Sequence, residues 1–238
     1  MSSNTIKKPL ILGVLFFLPV VFLLFLYPAT DNYNTLDIVN GNVTELSEFT
    51  SKDSVLLEGN ITVMGFLGKQ PNNKALATLN LKEIIYDKFK GFKRFQVVML
   101  VANNTQDQVE ELKKELYRHD ELKYWKFVYG SPEAISNVHK SLKTEVELDQ
   151  NLATDHVFIV DKERNQRGRI DDRDDNQIEK NAPVFGLASY DCIEIAVLKN
   201  KMAKEDMRVL FTEYRQKRKG DFDSTKRRAE DLKGNEEK

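Results

Sequence analysis

Cysteine is almost absent from this chain: Cys192 is the single one in 238 residues. That excludes an internal disulfide framework, a four-cysteine zinc site and any C-x-x-C redox pair. Histidine is scarce as well. The three present, His119, His139 and His156, stand far apart in sequence, and Glu115, four residues before His119, is too little by itself to make a metal site. An excess of charge of either sign is also missing, since 36 Lys+Arg stand against 37 Asp+Glu for a net charge of −1. No field extends over the whole surface to draw in nucleic acid, so none is expected as a partner. The basic residues near the C-terminus, Lys217 to Lys219 and Lys226 to Arg228, alternate with acids and read as a solvated face.

One long apolar run is present. Leu10 to Tyr27, LILGVLFFLPVVFLLFLY, carries no charge, and roughly 18–20 such residues at about 1.5 Å each nearly cross a hydrocarbon core of about 30 Å. The run exceeds the apolar stretch of a signal peptide, and the candidate cleavage site before Thr30 puts Tyr27 where a small residue is needed. A retained membrane anchor over residues 10–28 is therefore expected. Lys7 and Lys8 precede it, and Asp31 and Asp37 follow it with no Lys or Arg before Lys52. By the positive-inside rule residues 1–9 stay in the cytoplasm and the rest is exported, to the periplasmic side of an inner membrane.

The exported part reads as a linker with a possible first strand (29–54), a folded domain (55–218) and a charged tail (219–238) with little to bury. Strands are expected at Leu36 to Val43, Ile61 to Phe66, Phe95 to Val101 (mid-sheet), Trp125 to Tyr129 and His156 to Val160, with a partner strand beginning at Arg169-Ile170. Helical spacing runs from about Asn73 to Lys90, with Leu76, Leu79, Leu81, Ile84, Ile85 and Phe89 on one face. It returns over residues 105–118, with Val109, Leu112, Leu116 and Tyr117, and from Ile193 to Lys217, with Ala196, Val197, Val209, Leu210 and Tyr214 inward. Ser131 followed by Pro132 marks a capped helix start. Residues 171–182 read as a charged loop. The alternation of strands and helices, with a hairpin before the last helix, predicts an α/β, thioredoxin-like fold: a central mixed sheet flanked by helices.

From Ile61 to Leu210 the chain resembles the Sco/SenC family of copper-delivery and cytochrome c oxidase assembly proteins. The strand running into Gly65-Phe66, the YWKFVYG run from Tyr124 to Gly130 with its following helix, and DHVFIVD from Asp155 to Asp161 carry the resemblance. The resemblance implies two copper-binding cysteines in C-x-x-x-C after the first core strand and a histidine before a later one. Those positions fall on Lys69, Asn73 and His156, so the sulfur ligands are missing. The family's acidic loop is replaced by VANNTQD over residues 101–107. Copper(I) prefers soft sulfur donors; Lys69 repels a cation and Asn73 offers a hard oxygen. The expectation is a divergent member with no resident cofactor, neither thiol oxidoreductase nor copper chaperone. Its partners would be membrane lipid through the anchor and an unidentified membrane or periplasmic protein.

Competing readings attach to single residues. Copper or redox chemistry with relocated ligands would use His156 with Met64 or Cys192, although a histidine heading a buried strand is more often structural. Cys192 could be a reactive thiol near a helix start or a packed small residue, but it lies late in the chain, away from the strand-to-helix turn where this fold places its chemistry. A single-cysteine peroxidase would need it in a pocket. His119 and His139 are expected at the surface. Asn72 or Asn73 is expected to cap the following helix rather than cradle an anion. Asp171, Asp172, Asp174 and Asp175 lack the spacing of a calcium loop.

Overall fold

The computed structural model describes residues 4–26, 35–117 and 122–220, with side chains of the first segment from Ile11 to Leu24. His119 and the charged tail beyond Gly220 lie outside the described residues. The chain divides at Asn34 into two compact units. The first holds helix α1 (Asn4–Leu26), whose described apolar side chains are largely exposed. Among the described residues no helix is long and apolar enough to cross a membrane. The expected span over 10–28 is corrected to that extent: the helix runs from Asn4 to Leu26, so it begins earlier, with Lys7 and Lys8 inside it.

The second unit begins at Thr35, well before residue 55. Its first strand, β1 (Asp37–Asn40), belongs to the sheet, and Leu36, Val43 and Leu46 are buried. The other strands are β2 (Ile61–Gly68), β3 (Phe95–Ala102), β4 (Trp125–Gly130), β5 (His156–Val160), β6 (Gln166–Gly168) and β7 (Tyr190–Asp191). They lie in the order β1-β6-β5-β2-β3-β4, with β7 paired to β5. β2, β3 and β4 run parallel, and β5 and β6 are antiparallel to their neighbours. A parallel strand–helix–strand unit joined to an antiparallel hairpin in this order is a thioredoxin-like, mixed α/β arrangement. β2 and β3 are buried along their whole length, as fits continuous apolar runs covered on both faces.

Two apolar layers follow from the period-two alternation of the strands. Val63, Val97, Met99, Val157 and Tyr190 face one layer, which holds α2 (Ala75–Leu81), α3 (Asp87–Phe89), α4 (Gln106–Leu116) and α7 (Met207–Lys219). Met64, Phe66, Val98, Leu100 and Phe158 face the other, against α5 (Pro132–Lys140) and the segment from Val43 to Leu57. Ser131 caps α5 as its sequence announces, accepting from the Ala134 N–H at 3.1 Å.

Helix faces depart from the 3.6-residue expectation where the backbone widens to π-helix. One such turn, Lys82–Tyr86, separates α2 from α3, and a second, Val197–Asp206, leads into α7. Bonding to the fifth residue stretches the repeat towards four. Ala77, Leu81, Ile85 and Phe89 are therefore buried while Leu76 is exposed, and Leu198, Met202, Asp206, Leu210 and Tyr214 are buried while Ala196 is exposed. Tyr117 also turns outward, just beyond the end of α4. β6 starts at Gln166 rather than Arg169, because the Asp161 carboxylate accepts from the N–H groups of Glu163 and Asn165 and tightens the turn, with Arg164 at φ 60°. The charged loop contains one short helix, α6 (Asp175–Glu179), closed by a reciprocal capping box between Asp174 and Gln177.

His139 is a further correction. Its ring lies edge-on to Phe66 at 5.3 Å and to Phe158 at 6.3 Å, since it follows Val138 on the side of α5 that meets the sheet. Nε2 is buried without a partner among the described residues, and burial pushes the imidazole pKa below its ordinary 6.5. The unfolded chain takes up that proton first, so the group's contribution is intact above 6.5 and is lost as pH falls through that value towards the lower native one. His139→Leu is expected to flatten the loss of stability on acidification from about pH 7 to 5, measured as urea midpoints across that range. An unchanged slope would assign the dependence elsewhere.

Candidate functional site

The turn after β2 is shaped by Gly68. Its φ is +58°, and an added Cβ would sit 1.9 Å from the Asn151 carbonyl oxygen, so only glycine lets the turn pass beneath residues 151–152. The Lys69 N–H donates to that Asn151 oxygen at 2.8 Å. A short 3-10 turn, Pro71–Lys74, then leads into α2 with buried Pro71 at its start. Neither Asn72 nor Asn73 caps a helix: the Asn72 amide donates to Glu111 at 2.8 Å and the Asn73 amide to the Gln70 side chain at 2.7 Å. Lys69 and Asn73 are both exposed. Lys74 instead reaches inward, with Nζ 3.0 Å from Asp155 and 3.9 Å from Asp149. The lysine–aspartate pair ties the start of the α2 run to the start of β5, so residues 69–74 and Asp155-His156 share one end of the sheet.

His156 is half-buried there. Its Nδ1 lies 3.1 Å from the Ser189 hydroxyl and its Nε2 3.9 Å from the Asp191 carboxylate. β7 brings these partners, pairing His156 with Asp191 and Val157 with Tyr190. The same pairing moves Cys192 to a place its sequence position conceals: its N–H donates to the Asp155 carbonyl at 2.9 Å, and its carbonyl accepts from the Asn80 amide of α2. Cys192 thus lies beside the strand-to-helix turn, not away from it. Alternation along the strands then separates the candidates. Cys192 and Val157 belong to one apolar layer and Met64 and Phe158 to the other, while His156 shares the parity of Phe158.

These donors do not fit copper. Lys69 is a cation, Asn73 a hard oxygen donor, Met64 is fully buried, and Cys192 lies across the sheet from His156. Among the described residues no group of three or more His, Cys, Asp or Glu could hold a metal ion. Cys192 is also unsuited to nucleophilic work. Burial pushes its thiol well above the ordinary value, with Asp191 and Asp155 adding to the shift. The void beside it, lined by Gly65, Lys74, Thr78 and Asp155 among others, measures about 10 Å³, room for a water at most. Native protein is expected to resist iodoacetamide for hours at neutral pH and to be labelled within minutes in urea, followed by mass spectrometry. Rapid native labelling would contradict the buried thiol.

Not visible in the sequence are the ionic groups gathered around β6, at and beyond the other end of β5. Arg167 is only 4% exposed and bonds Asp161 at 3.0 Å, Glu213 at 2.5 Å and the Leu36 carbonyl at 2.6 Å. Burial works against its charge, yet Glu213 and Asp161 outweigh it and raise the guanidinium pKa. Beside it Arg169 meets Asp206, Asp172 and Glu205, and the buried Tyr190 hydroxyl donates to Asp206 at 2.6 Å. The acidic cluster is therefore engaged internally: Asp171 by Arg173, Asp172 by Arg169 and Lys201, Asp174 as a cap. The one sequence signal was Glu213 at the edge of an apolar helix face, next to Tyr214.

No family model matches the chain, and no curated protein matches it. It is similar to solved Sco structures. Apo Sco1 from Thermus thermophilus is 15% identical with a TM-score of 0.43, covering 74% of this chain and 96% of that one. Arabidopsis thaliana ScoI, solved with copper bound, is 17% identical with a TM-score of 0.38, covering 71% and 98%. BsSco, described as a member of the Sco family of cytochrome c oxidase assembly proteins, is 14% identical with a TM-score of 0.42, covering 56% and 86%. The thioredoxin-like assignment itself stands on strand order and pairing.

Proposed function

We propose that this chain is a Sco-like protein, held at the membrane by its N-terminal helix, that works without catalytic cysteines as a partner-binding accessory factor in cytochrome c oxidase assembly. The observation that carries the reading is the turn after β2. In a thioredoxin-like fold the chemistry sits where the first core strand gives way to its helix, and here that turn holds Lys69, Gln70, Asn72 and Asn73, with side-chain amides engaged by neighbouring residues. The oxidase connection comes from the sequence resemblance over Ile61 to Leu210. The apolar run after Lys7 and Lys8 supports the anchor and its orientation, with the folded unit on the periplasmic side.

Crosslinking in native membranes, with identification of what is captured, tests the proposal. Oxidase subunits or oxidase assembly factors are the expected catch. Their absence from a capture that does enrich other membrane proteins would remove the assembly role. Stoichiometric, tight uptake of Cu(I) by the purified domain would overturn the non-catalytic reading and favour relocated ligands at His156, Met64 or Cys192.

A further inference from the structure

β4 is the last strand of the sheet, and its outer edge is only partly covered. Tyr124 and Gly130 bond towards β3 through their carbonyls, so even-numbered residues face inward. Tyr129 faces outward and makes a reciprocal pair with Thr50, both N–H···O distances being 2.8 Å. In an antiparallel ladder the next such pair would join Phe127 to Lys52. It does not form. The chain peels away at Ser51, and the outward N–H and C=O of Phe127 have no partner among the described residues. Between Ser51–Asp53 and α4 lies a groove of about 610 Å³, walled by Tyr117, Trp125, Phe127 and Tyr129. The buried Trp125 indole N–H has no acceptor among the described residues.

Charge selects the occupant. Lys52, Lys113, Lys123 and Lys126 line the groove against Asp53 and Glu110. Lys126 pairs with Asp53 at 2.5 Å and Lys113 with Glu110 at 2.6 Å. Among the described residues that leaves Lys52 and Lys123, both exposed, without an ion pair of their own: Lys123 lies over the Tyr124 ring at 5.4 Å, and Lys52 is near enough to Asp53 and Glu110 to add to Lys126 and Lys113 in lowering both carboxyl pKa values. We propose that an extended, acidic peptide segment of a partner protein adds as a strand to the β4 edge in this groove, pairing with the Phe127 backbone and meeting Lys52 and Lys123. The proposal rests on the partner-binding reading but not on which assembly the partner belongs to.

Trp125 is the sole tryptophan, so its fluorescence reports this groove directly. The probe is a short peptide alternating Glu and Val, titrated into the full chain at low ionic strength. A saturable change in emission is expected, weakened at least about tenfold by the double variant Lys52→Glu/Lys123→Glu and by raised salt. Both substitutions are at exposed positions, and circular dichroism checks the fold. The same peptide N-methylated on alternate residues, lacking the pairing N–H groups, is expected not to bind. Unchanged emission, equal binding of the methylated peptide, or equal binding of a Lys–Val peptide would overturn the proposal. So would an emission change caused by removing residues 221–238 or by raising protein concentration, which would assign the groove to the chain's own tail or to a second copy. If the peptide fails while oxidase components still crosslink, only this surface falls and the accessory role stands.

Discussion

Arg167→Met is expected to cost the folded domain about 3–5 kcal/mol, because removing one partner of a buried ion cluster strands the others. Asp161 and Glu213 are 1% and 3% exposed, and without Arg167 both lose a charged partner in a site that water barely reaches. Lys217, 2.8 Å from Glu213, neutralises part of the loss for that carboxylate. For a domain of this size the cost corresponds to a fall in Tm of roughly 6–20 °C. The control is informative. Arg167→Met combined with Asp161→Asn and Glu213→Gln should recover most of the stability, since a neutral amide oxygen at position 161 can still accept from the Glu163 and Asn165 N–H groups. Thermal and urea denaturation measure both. A single variant as stable as the parent would mean that water or a side-chain movement relieves the stranded charges.

Introducing two thiols at positions 69 and 73 should have the largest effect on chemistry. Lys69→Cys with Asn73→Cys places two thiols at exposed positions on either side of Pro71, at the end of the sheet that also carries His156. Neither native side chain is packed in the core, so the fold should tolerate both changes. Two thiolates are soft donors, and with the imidazole they supply the kind of set that copper(I) prefers. The expected result is about one Cu(I) per chain retained through desalting under reducing conditions, against none for the parent, with a further His156→Ala change weakening retention. Failure of the cysteine pair to hold copper would show that positions 69 and 73 are not the lost ligand positions, and the reading of a scaffold without its site would lose its footing.

Much of the fold was legible in residues. Continuous apolar runs at Ile61 and Phe95 mark strands covered on both sides, and Ser131-Pro132 announces a helix start that the structure keeps. Helix faces were less legible, since a 3.6-residue period assumes a backbone that two π-helical segments do not follow. Leu76 and Ala196 were misassigned for that reason. His139 was misread because a polar residue on a short helix looks solvent-facing until the sheet beneath it is known.

The lone Cys192 shows where sequence stops and structure begins. Its count alone excluded disulfides and paired-thiol chemistry in this chain, because those need a second sulfur from the same sequence whatever the fold. Its accessibility and companions depended on the pairing of β7 with β5, a long-range contact that no local pattern encodes. That contact carried a late residue to the strand-to-helix turn, buried it, and set it across the sheet from His156. The charges follow the same division. Their near balance is a property of composition, whereas the Arg167 cluster and the lysine-lined groove beside β4 exist because tertiary packing brought distant residues together.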